Sequence, residues 1–127
     1  MKMQESIEAN KTCEAVARMP STLVVRGDVS PYDLLAHSGY FDRHAEITPD
    51  LLRAVLSRDP MLVNDWLEYS ENKRTSSGWY FRRAATGFDV GFLGKDGRKV
   101  DERTYVDVIE ACAAFIKKEI EEMRQLG

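Results

Sequence analysis

Two cysteines, two histidines and four prolines are the scarcities that bound what this 127-residue chain can be. Cys13 and Cys112 form neither a CxxC pair nor the dense framework that staples small secreted domains. That excludes a disulfide scaffold and leaves no cysteine pair for a structural zinc. The thiols fit a reducing compartment, with Cys112 expected on an apolar helix face as a small buried hydrophobe. Long apolar runs are missing too. No window approaches the roughly 20 apolar residues of a spanning helix, and the polar opening Met1 to Glu8 leads into no apolar stretch of signal-peptide length. The expected setting is cytoplasmic, with no membrane partner.

Charge of one sign is lacking as well. The formal net charge is only -3, from 18 Lys and Arg against 21 Asp and Glu, so nucleic acid could be held only by a local patch. Nucleotide and hydrolase motifs are absent. Gly87, Gly91, Gly94 and Gly97 make no phosphate-binding fingerprint, and Lys95-Asp96-Gly97-Arg98 is not a P-loop. Ser76 and Ser77 before Gly78 lack the GxSxG context of a nucleophile and read as a turn. Asp101 with Glu102, and Glu121 with Glu122, are consecutive and diverge, which is the wrong geometry for an acid/base pair. Arg26-Gly27-Asp28 is read as a chance tripeptide. No catalytic residue, metal site or cofactor is expected.

What the chain does have is the makeup of a folded domain. With 43% hydrophobic and 31% charged residues it is too apolar for disorder, and its length suits one core. A single α+β domain over residues 1–127 is expected: a helical N-terminal and middle region, a small antiparallel β-meander, and a long C-terminal amphipathic helix packed on one sheet face. Tyr105, Val108, Ile109, Cys112, Phe115, Ile116, Ile120 and Met123 recur at helical steps, with Thr104 placed to cap that helix and Asp107 three residues on. The other side, Asp107, Glu110, Lys117, Glu121 and Arg124, reads as a solvated face. Trp79 to Ala84 and Phe88 to Leu93 read as a hairpin with Phe88, Val90 and Phe92 turned inward, and Lys99-Val100 as a short third strand. Thr48-Pro49-Asp50 starts a helix that Asp59-Pro60 interrupts, and a second continues through Trp66. Ser6 to Arg18 reads as a further helix, with Ser30-Pro31 as another start.

Function is expected at the run from Tyr69 to Arg83, where a charged, hydroxyl-rich connector enters three aromatics and two arginines. Lys73, Arg74, Tyr80 and Arg82 are the candidate partner-binding residues, because arginine and tyrosine combine contact area with directional hydrogen bonds. The leading reading is a non-enzymatic protein-interaction module of adaptor, inhibitor or immunity type. The first alternative is nucleic-acid binding through the same residues, charge on phosphate and rings on bases. The second is a small enzyme with a pocket near His37, Asp42 and His44, although a spacing of seven is not the one-turn spacing of the two histidines in an HExxH helix. Homodimerisation through an exposed sheet edge is a further open partner reading.

Overall fold

The computed structural model describes residues 2–72 and 77–126, with side chains from residue 7 onward. Six helices come first: α1 (Lys2–Ala17), α2 (Met19–Val25), α3 (Pro31–His37), α4 (Tyr40–Arg43), α5 (Pro49–Arg58) and α6 (Met61–Asn72). They are followed by a meander of β1 (Gly78–Ala84), β2 (Gly87–Leu93) and β3 (Lys99–Tyr105), and by α7 (Val108–Leu126). The sheet is antiparallel in the order β1-β2-β3, and α7 packs on it, as the α+β reading expects. Among the described residues no helix is long and apolar enough to cross a membrane.

Prolines and short polar side chains set the helix starts. Ser30 Oγ accepts the Asp33 N–H at 3.1 Å and Thr48 Oγ1 accepts the Leu51 N–H at 3.2 Å, each with a proline opening the helix. Pro20 has no N–H to donate back to Val16, so α1 ends and α2 begins where an unbroken helix would lose that bond. Asp59-Pro60 separates α5 from α6 in the same manner.

The last helix starts later than its sequence suggests. Thr104 lies in β3 and donates its hydroxyl to Asp89 Oδ1 at 2.7 Å, while the α7 cap is Asp107, whose Oδ1 accepts the Ile109 N–H at 2.8 Å. Tyr105 is likewise a strand residue, and β3 runs through Tyr105 rather than stopping at Val100. A register shift between Val90 and Phe92 lets it continue, with Asp101 in the left-handed region at φ 53°.

The core is aromatic at its centre. Phe115 on α7 stacks on Phe81 of β1 at 5.7 Å and meets the edge of Trp66 from α6 at 6.0 Å. Each ring is fully or almost fully buried and stabilises the fold by roughly 1.5–3 kcal/mol. Two buried hydrogen bonds fix α6 within this packing. Trp66 Nε1 donates to the Ala17 carbonyl at 2.8 Å, and Ser70 Oγ accepts the Phe81 N–H at 2.7 Å. The second bond occupies an edge group of β1 that strand pairing leaves open.

Candidate functional site

Strand alternation divides the sheet into two faces. Trp79, Phe81, Phe88 and Val90 turn toward α7, and Tyr80, Arg82, Asp89 and Gly91 point the other way. Register then brings Glu102 and Thr104 of β3 to that outer face, beside Gly91 and Asp89. Helices α6 and α7 pack on the sheet from the inner side and at the β1 edge, so among the described residues the outer face is built mainly from the sheet's own side chains.

Tyr80 is on this face yet only 9% exposed. Its ring lies over Gly91, where a Cβ would stand 2.7 Å from Tyr80 Cζ, and its hydroxyl donates to the Glu102 carboxylate. Loss of hydration and then the Glu102 carboxylate raise the phenol above its ordinary pKa. The Arg82 guanidinium lies 5.2 Å from the centroid of the same ring. Its Nη2 is 3.4 Å from Asp89 Oδ2 and 3.3 Å from Glu102 Oε2. Asp89 is only 7% exposed and is anchored by Thr104.

This geometry changes what the two residues offer. Arg82 is bracketed by two carboxylates, so its cation is fully compensated on this face. Tyr80 lies against Gly91 with Arg82 near its ring and is only 9% exposed, which leaves little ring to stack on a base. Arg82 keeps a half-exposed side chain whose Nη1 and Nε take part in neither ion pair. Lys73 and Arg74 lie outside the described residues.

In the histidine region each ring has a local contact. His37 Nδ1 is 2.7 Å from the Asp33 carbonyl of its own helix, and the His44 ring meets the edge of Tyr40 at 6.4 Å. Among the described residues no group of three or more His, Cys, Asp or Glu could hold a metal ion. Both cysteines are free and buried; burial pushes the Cys13 thiol up to about 12 and raises Cys112 as well, which makes them poor nucleophiles.

A polar cluster on α7 escapes the sequence reading. Lys117, Glu121 and Arg124 were expected in solvent, but the fully buried Tyr40 of α4 gathers them. The Tyr40 hydroxyl donates to the Glu121 carboxylate and accepts from Lys117 Nζ at 2.8 Å, while Lys117 also donates to the His44 carbonyl at 2.6 Å. Arg124 grips Glu121 through two bonds of 2.9 Å. Those bonds, helped by Tyr40 and Lys117, hold the Glu121 carboxyl down at about 2 against the opposing effect of burial. Burial lowers the Lys117 pKa. The four- and three-residue steps from Lys117 to Arg124 were visible; the tyrosine that organises them lies 77 residues before Lys117. Comparison of the chain with protein-family models, curated proteins and solved structures found no match.

Proposed function

We propose that this protein is a non-enzymatic recognition module, of adaptor, inhibitor or immunity type, that offers the outer sheet face with Tyr80 and Arg82, together with Lys73 and Arg74, to a protein partner. The observation that carries this reading is the preorganised, half-exposed Arg82 guanidinium, with the nearly buried Tyr80 ring as its support. Tyr80 is wedged over Gly91, and Arg82 is held at two carboxylates with Nη1 and Nε outside those pairs. Ordering a long side chain on binding costs about 0.5–1.5 kcal/mol, and residues already fixed avoid much of it. An arginine compensated by two carboxylates also suits a protein surface better than a phosphate backbone, whose affinity comes from uncompensated cations.

The test is a tagged pull-down from the source cells, with and without nuclease, using wild type and an Arg74→Glu/Arg82→Lys variant. Lysine at 82 preserves the charge that Asp89 and Glu102 require and removes the guanidinium fork, so folding is spared where glutamate would add a third carboxylate. A stoichiometric protein that survives nuclease and binds the variant about tenfold more weakly, at unchanged melting temperature, is the expected result. Recovery of nucleic acid, of no partner, or of a partner indifferent to the variant overturns the assignment.

A further inference from the structure

A second surface is built from residues the platform does not use. Between α2, the start of α3 and α6 lies a groove of about 480 Å³. Pro20, Leu23, Val24, Pro31 and Tyr69 supply its apolar lining, and Asp65 and Glu68 stand along its α6 wall. Leu23, Val24 and Val25 are consecutive on a seven-residue helix, so they cannot all reach the core. Val24 is 86% exposed and Val25 is 83% exposed. Contiguous exposed apolar surface beside polar walls marks an interaction site more often than chance exposure does.

The acidic wall says what kind of partner fits. Some carboxylates on or beside the helices have cations, Asp50 with Arg53, Glu46 with Arg43, Asp59 with Arg18 and Glu14 with Arg58, while Asp33, Asp42 and Glu110 have none among the described residues. Asp65 and Glu68 have none among the described residues either, and they alone of these unpaired carboxylates stand three apart on one helix face along the groove. We propose that this groove docks an amphipathic helical segment of a partner protein, with apolar residues entering against Leu23, Val24 and Tyr69 and lysine or arginine on its flank meeting Asp65 and Glu68. This is the helix-in-groove mode, in which apolar anchors at helical spacing give affinity and flanking charge sets orientation and choice of partner.

The experiment uses two fluorescent helix-forming peptides of about 16 residues, alike in their leucine face, one flanked by lysines and its twin by glutamates. Anisotropy is read on the full chain, on Asp65→Lys/Glu68→Lys and on Val24→Asp, each with a melting curve and a sedimentation run. The lysine peptide binds wild type at least about tenfold tighter than its twin, the charge-reversed variant inverts that order, and Val24→Asp loses both peptides. The inference fails if neither peptide binds wild type, if both bind alike, if the preference survives charge reversal, or if a dimer that Val24→Asp dissolves shows a second copy in the groove. None of these variants alters Tyr80 or Arg82, so failure here and failure of the platform are read separately.

Discussion

At Gly91 an added methyl group would stand 2.5 Å from the Tyr80 hydroxyl and 3.1 Å from the Glu102 Cα. Glycine there is a matter of space: the residue is the floor on which the phenol lies. Gly91→Ala therefore displaces Tyr80, costs about 1–3 kcal/mol as an overpacked site does, and returns one of the five tyrosines toward its ordinary titration range. Urea unfolding and an ultraviolet alkaline titration measure both effects; unchanged curves would mean the ring does not rest there. Alternation alone was enough to put Tyr80, Arg82 and Gly91 on one face. It says nothing about which side chain crosses to the next strand, and so it could not foresee that Glu102 and Asp89 would claim Arg82. Neighbour identity across a sheet depends on register, and register here includes a shift.

Among elements, α7 and β3 share a boundary where two residues able to cap a helix lie three apart. Thr104 and Asp107 are locally equivalent, and what separates them is remote: Asp89 on β2 offers Thr104 an acceptor, which draws it into the strand. Ser30 and Thr48 were legible because a proline directly follows each and marks the first helical position. Asp107→Ala should lose about 0.5–2 kcal/mol and fray the first turn of α7. Thr104→Ala should cost about 0.5–1.5 kcal/mol for one hydrogen bond and leave that turn protected. Amide hydrogen exchange at Ile109 to Ala111 distinguishes them; equal fraying in both would return the cap to Thr104. The length of β3 was hidden for a related reason, since Asp101 and Glu102 are poor strand formers that lie at the register shift, between stretches of β3 paired with β2 on either side. Those charges and the left-handed Asp101 also roughen the β3 edge against a further strand, while Ser70 occupies a β1 edge group.

For the molecule as a whole, the cluster around Tyr40 fastens the N-terminal helices to α7. The Glu121 carboxyl is held down at about 2 when folded, below its ordinary value of 4.5, so the folded state holds fewer protons on it than the unfolded chain does. Its contribution is thus complete above about pH 4.5 and disappears as pH falls toward about 2. Wild type should lose urea stability more steeply than Glu121→Gln across that interval, and the gap between them should close by its lower end. Parallel pH profiles would show that Glu121 is not held by Arg124 and Tyr40. Helix α7 itself was plain from its apolar periodicity, because packing against any core demands that stripe. Its polar partners were not, since they come from a segment whose placement only the closed fold determines. That separation has a consequence in chain entropy. Closing the 81 residues between Tyr40 and Glu121 costs about 1.5 kcal/mol more than closing the 15 between Asp89 and Thr104, by the logarithmic law of loop closure. The meander is stitched by short loops and the helical front by long ones, so a loosening molecule gains more chain freedom by releasing Tyr40 from Glu121 than by releasing Thr104 from Asp89.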